Sequence, residues 1–158
     1  RMRYLRQAAH AGVPEAMINY ANGVGFDDEK MPSKDQAFDL WRTEAKVIAD
    51  RALRMGLRDV VLMYENAYSG DVGIFHALIP NDPVKSETYR QLWYRTSDSP
   101  YSQFNKAISE KDYRDAVSNA ERMFIDYFSK NATDKSAKYF VLETYSYPKG
   151  FEKPMCVD

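Results

Sequence analysis

The chain is poor in the residue types that most often carry chemistry. Of its 158 residues only one is cysteine, and Cys156 has no partner within the chain. That excludes an internal disulfide framework and leans toward a reducing compartment such as the cytoplasm, although many proteins of the periplasm also lack bridges. Histidine is nearly as scarce, and His10 and His76 lack the spaced Cys, His or acidic companions that a zinc site requires. The formal net charge is −1, so no global field draws nucleic acid or an anionic membrane, and neither is expected as a partner. No apolar run approaches the roughly 20 residues that cross a bilayer as a helix. Also missing are a Gly-x-Ser-x-Gly elbow, a Gly-x-Gly-x-x-Gly turn and a phosphate loop, so no cofactor is expected.

What is present is a phrase written twice. Ala8-x-x-x-Gly12-x-x-Glu15-Ala16-x-x-x-Tyr20 returns as Ala52-x-x-x-Gly56-x-x-Asp59-Val60-x-x-x-Tyr64, 44 residues later. A recurrence on that scale marks a helical repeat array, in which each two-helix unit buries its apolar face against its neighbours. A chain of this length buries on the order of 70% of its unfolded surface, enough for one continuous core.

Each glycine is expected to stop a helix, because it enters the left-handed conformation at little steric cost. The first helix then runs from the start to about Ala11, with Tyr4, Leu5, Ala8 and Ala9 inward. Because Arg1 already lies in this amphipathic pattern, the chain is expected to be a fragment whose true start is missing. Pro14 and Glu15 suit the first turn of a second helix with Ala16, Met17, Tyr20 and Ala21 inward. The glycine-rich stretch from Gly23 to Pro32 breaks the pattern, and Ser33-x-x-Gln36 reads as a capping box. A long helix is expected from about Lys34 to Met55, its inward stripe Ala37, Leu40, Trp41, Ala45, Ile48, Ala49 and Ala52. Asp59 opens the fourth, with Val60, Val61, Tyr64, Ala67 and Tyr68 inward.

The connection from Ser69 to Asp82 is apolar beyond the habit of loops, with Val72, Ile74, Phe75, Ala77, Leu78 and Ile79. It either folds back over helix ends or is shown to a partner. Asp82-Pro83 caps a fifth helix, whose Leu92-Trp93 echoes Leu40-Trp41 at a spacing of 52, eight more than the first register. Further on, Ser99-Pro100 caps a short helix with Phe104, Ala107 and Ile108, and another is expected from about Asp112 to Ser129, ended by Asn131. Tyr139 to Tyr145 reads as a last helix, with a strand as the alternative.

At its glycines the chain resembles the SEL-one-like repeat family, relatives of the tetratricopeptide repeats. Ala8, Ala9, Gly12, Ala16 and Tyr20 match one unit, and Ala52, Gly56, Val60, Tyr64, Tyr68 and Gly70 match the next. Tyr20 and Tyr64 stand where the family has leucine. The likeness covers residues 1–95 and leaves 96–158 as a diverged helical extension of the same domain. It implies an all-α, right-handed α/α solenoid of antiparallel helix pairs whose members act as scaffolds, regulators and interaction partners. Some bacterial members look like immunity partners that neutralise toxins, which makes a secreted toxin or effector the partner to expect.

The expected partner surface combines Arg42, Lys46, Arg90 and Tyr94, projecting from first helices of successive units, with Phe75 and His76 of the apolar connection. A rival enzyme or small-ligand reading would close Tyr113, Glu121, Asp126 and Tyr139 over a pocket, although no motif brings them together. Asp27-Asp28-Glu29 reads as a solvated turn, since it lacks the alternating acceptors of a calcium loop. Asn131-Ala132-Thr133 has the glycosylation pattern, a frequent chance match.

Overall fold

A computed structural model of the chain describes residues 2–26, 36–70, 73–97 and 107–129. These fold as six α-helices: α1 Met2–His10, α2 Pro14–Ala21, α3 Gln36–Arg54, α4 Asp59–Ser69, α5 Pro83–Thr96 and α6 Glu110–Met123. A 3-10 turn, Ile74–Leu78, precedes α5, and a π-helical turn, Phe124–Phe128, prolongs α6. The fold class is all-α; among the described residues the one β feature is an isolated bridge between Val24 and Phe26. The capping box at Ser33, the helix expected at Ser99–Pro100 apart from Ala107 and Ile108, and Tyr139–Tyr145 lie outside the described residues, as do Asp27–Glu29, Asn131 and Cys156. Ala107 and Ile108 form a turn and a bend ahead of α6.

The doubled phrase is a doubled turn. After α1, the Gly12 N–H donates to Ala9 O at 3.0 Å and the Val13 N–H to Ala8 O at 3.1 Å. After α3, the Gly56 N–H donates to Leu53 O at 2.9 Å and the Leu57 N–H to Ala52 O at 3.1 Å. Both glycines are left-handed, with φ of 86° and 76°. This nested pair of bonds takes up carbonyls that a helix end leaves unpaired, and it turns the chain sharply into the next helix. Pro14 begins α2 where no N–H is required. At α5 the Asp82 carboxylate accepts from Val84 N at 3.1 Å and Lys85 N at 3.0 Å, ahead of Pro83 at the first position.

Successive helices pack on one another: α1 on α2, α2 on α3, α4 on α5 and α5 on α6. Arg6 of α1 meets Glu44 of α3, and further along both helices Arg51 donates to the carbonyl of His10, so α1 and α3 lie side by side in the same direction. Ala9, Ala21, Ala45, Ala49 and Ala52 are fully buried, and their small size permits this close approach. One continuous core runs from Ala9 through Trp41, Tyr64, Phe75 and Leu92 to Phe128.

Two inward assignments are corrected. Leu40 is 37% exposed, and Phe38 takes the inner place, stacked on Trp41 at 5.4 Å with Phe26 against both rings. Since one residue is about 100° of helix, burying Trp41 turns its neighbour Leu40 away. Tyr4 is 76% exposed for a similar reason: Met2, Leu5, Ala8 and Ala9 form the side of α1 that packs on the core. Leu53 and Met63 join the core beyond the expected stripes. The sixth helix also ends earlier than expected as α-helix, since the π-helical turn takes over at Phe124.

Candidate interaction surface

Helix α3 sits between the repeated tyrosines and holds both by their hydroxyls. Tyr20 and Tyr64 each lie eight residues after a turn glycine, on the second helix of their unit. The Tyr20 hydroxyl donates to Glu44 at 3.0 Å, and the Tyr64 hydroxyl donates to Asp50. Each tyrosine fills an inter-helix gap with its ring and ends in a polar group that needs a partner. The carboxylates of α3 supply it on both flanks.

Around Glu44 the surroundings are ionic. Arg6 clasps both oxygens, at 2.6 and 2.8 Å, and the His10 ring lies 3.0 Å away. The Arg6 hydrogen bonds pull the Glu44 pKa down to about 2, helped by His10 and Tyr20 and opposed by partial burial. The Arg6 pKa rises in return, chiefly through its bonds to Glu44, and burial is the main cause that raises the Tyr20 phenol. Around Asp50 the surroundings are aromatic. Lys46 binds Asp50 at 2.8 Å, while Tyr64 stacks on Tyr89 at 4.9 Å and on Tyr68 at 6.1 Å, with Phe75 edge-on at 5.5 Å. Burial dominates here, and it raises both the Tyr64 and the Tyr89 phenols.

The six expected contact residues divide between surface and core. Arg42 and Lys46 are exposed on α3, with Lys46 engaged by Asp50. Arg90 and Tyr94 are half-buried on α5, and the Arg90 guanidinium is bound to Glu87. Asp50 of α3 is bonded to Lys46 and to Tyr64 of α4, and Tyr64 stacks on Tyr89 of α5, the neighbour of Arg90; α4 thus links the two helices. His76 is exposed on the 3-10 turn, where its ring nitrogen meets the Gly73 carbonyl.

Phe75 is the correction. It is 1% exposed, because the apolar connection folds back: Phe75 packs on Tyr64, and Ile74 fills the space above Gly23, beside Trp41. A methyl group at Gly23 would overlap Ile74. Phe75 therefore belongs to the core and offers a partner no surface.

Three groups have roles that residue type and spacing do not announce. Glu87 is fully buried, accepting from Gln91 Nε2 at 2.7 Å as well as from Arg90. Tyr89 joins the aromatic stack, and Arg58 lies over the Trp93 ring at 4.0 Å. The signal for Glu87 is its spacing of three and four residues from Arg90 and Gln91, which allows a charge to be satisfied on its own helix.

Glu121 and Asp126 are both exposed, and Glu121 stands 3.9 Å from Arg95; Tyr113 is half-buried and Tyr139 lies outside the described residues. Among the described residues no group of three His, Cys, Asp or Glu side chains is placed to hold a metal, and no helix is long and apolar enough to cross a membrane. Comparison with protein-family models, with curated proteins and with solved structures finds no match to this chain.

Proposed function

We propose that this chain is a non-catalytic protein-binding module: a right-handed α/α solenoid of SEL-one-like units that holds one partner protein. Its most specific role is that of a bacterial regulator or inhibitor of the immunity type. The observation that carries this reading is the pair of equivalent glycine turns, closed by the same two hydrogen bonds, with α1 and α3 aligned side by side in one direction. Stacked units of this kind offer first helices as an extended binding surface. The exposure of Glu121 and Asp126 also favours binding over acid–base chemistry, which needs convergent, shielded carboxylates.

Arg42 and Lys46 on α3, with Arg90 and Tyr94 on α5, are the anchors of this reading. Arginine and tyrosine suit that role, since each offers a large contact area together with a polar end. Mixing the chain with a candidate toxin or effector should give a complex that survives gel filtration. Arg42→Ala combined with Tyr94→Ala should weaken it about tenfold or more by calorimetry. A pull-down from native extract that recovers only small molecules would overturn the binding-module reading.

A further inference from the structure

The register of 44 residues pairs positions of the first unit with positions of the second, and the pairs differ in what covers them. On α3, Trp41, Ala45, Ile48 and Ala52 fall in one row along the helix, and all four are buried. That row faces the first unit. Trp41 Nε1 donates to the Tyr20 carbonyl at 2.8 Å, and from the adjoining row Arg51 donates to the His10 carbonyl at 2.9 Å.

On α1 the same row is bare. Tyr4 stands in register with Ile48 and Ala8 with Ala52, and Ala11, just past the helix end, continues the row. Ile48 is 4% exposed and Tyr4 76%; Ala52 is fully buried, whereas Ala8 is half-buried and Ala11 exposed. The turn that follows repeats the contrast, since Leu57 is half-buried against the core while its counterpart Val13 is 48% exposed. Gln7, the counterpart of Arg51, is exposed as well. This flank looks away from the rest of the chain. Arg6, which meets α3, is two residues beyond Tyr4 and so about 200° further round the helix.

We infer that the outer flank of α1, with Val13 of the turn, docks an antiparallel two-helix unit of the partner protein, seated on α1 as the α1–α2 pair seats on α3. The inference rests on the binding-module reading above and adds a contact surface apart from the anchors on α3 and α5. The chemistry of the occupant follows from the internal template. Helix α2 buries Ala16, Met17, Tyr20 and Ala21, an uncharged stripe of mostly small or pliable side chains against which a neighbouring helix packs closely. An occupant with such a stripe receives Tyr4, whose ring supplies apolar area while its hydroxyl stays at the rim. Gln7 holds the place from which Arg51 reaches a helix-end carbonyl, and its amide donates to the last carbonyls of the occupant's first helix, groups that a helix end leaves unpaired. A second copy of this chain fits less well. Its own α1–α2 pair is already covered by α3, and its last described helix, α6, exposes Arg114, Asp115, Glu121 and Arg122.

The test uses the full chain and a synthetic, disulfide-closed helical hairpin labelled with fluorescein, whose second helix carries Ala, Met, Tyr and Ala at the spacing of residues 16, 17, 20 and 21. A hairpin with Gln at those four positions is the comparison probe. By anisotropy the first should bind and the second should not. Tyr4→Asp should weaken binding about tenfold or more, and Val13→Asp should do so independently. Ile125→Asp, an exposed change on the π-helical turn, should leave it unaltered. All three positions are exposed, so retained helical circular dichroism and an unchanged Tm would confirm folded variants. Equal binding of the two hairpins, binding of neither, or wild-type affinity in Tyr4→Asp would overturn the proposal. A dimer in sedimentation velocity that Tyr4→Asp disperses would overturn it too, because the occupant would then be a second copy. If a toxin or effector binds the chain and both flank variants leave its affinity intact, the inference fails while the binding-module reading stands.

Discussion

The two glycine-turn units share a backbone and differ in what fastens them to α3. In the first, Tyr20 reaches Glu44 beside Arg6 and His10, and water reaches that cluster. In the second, Tyr64 reaches Asp50 from within a stack of Tyr68, Phe75 and Tyr89. Backbone hydrogen bonds and glycine φ set the turn alike in both units. Side chains alone make one joint ionic and the other aromatic. Opposing charges in high dielectric contribute little net stability, whereas buried aromatic area contributes much. The second joint is therefore expected to carry the fold and the first to tune it.

The sharpest way to break that comparison is to empty the aromatic joint. Phe75→Ala should destabilise the chain by about 4 kcal/mol, the usual cost of a large cavity in a core, measured by urea unfolding. A loss below about 1 kcal/mol would place Phe75 among ordinary surface residues and return the apolar connection to the candidate surface. Next comes the support beneath that connection. Gly23 has φ of 73°, and an added methyl would strike Ile74, so Gly23→Ala should cost about 3 kcal/mol. Gly12→Ala shares the positive φ, but its methyl would meet only the tip of Arg51, which is able to swing aside. Its cost should be about 1.5 kcal/mol, the conformational part alone. Equal losses at the two glycines would mean that Ile74 is not seated as described.

Removal of single hydroxyls sharpens the contrast further. Tyr64→Phe leaves the ring stack in place and deletes one bond to Asp50, for an expected loss of about 1 kcal/mol. The loss should persist in high salt, because that oxygen lies inside the stack.

These contrasts also mark how far the sequence was readable. The glycine stops, the Asp82-Pro83 cap and most inward stripes follow from periodicity and from local backbone chemistry, so they were legible at Gly12, Gly56 and Asp82. Leu40 and Tyr4 were not, because an apolar residue on the border of a stripe is buried or exposed according to which neighbour fills the gap first. Trp41 and Phe38 fill it here. For Phe75 the composition of its segment showed that it must be covered, and only the tertiary fold, through Tyr64 and Gly23, shows by what. Glu87 was hidden for the opposite reason, since a charged residue on a helix reads as solvated unless its partners on the same helix are recognised. At the candidate surface, residue type pointed to arginine and tyrosine anchors.

The smallest expected effect belongs to the ionic joint, and its sign is fixed by Glu44. The Glu44 pKa is depressed in the fold, from about 4.5 to about 2. A depressed carboxylate contributes its stability above the unfolded value, because there it is charged in both states and its partners favour the folded one. As pH falls from about 4.5 toward 2, the unfolded chain takes up a proton that the folded chain refuses, and the contribution is lost through that window. Tm should therefore decline with acidification across this range more steeply in the wild type than in Glu44→Gln, which has no proton to exchange at this position. High salt at neutral pH should narrow the difference between the two proteins, since the ion pair is partly exposed. Parallel acid profiles for wild type and Glu44→Gln would show that the first joint draws nothing from its charges, and the contrast between the two units would then reduce to burial alone.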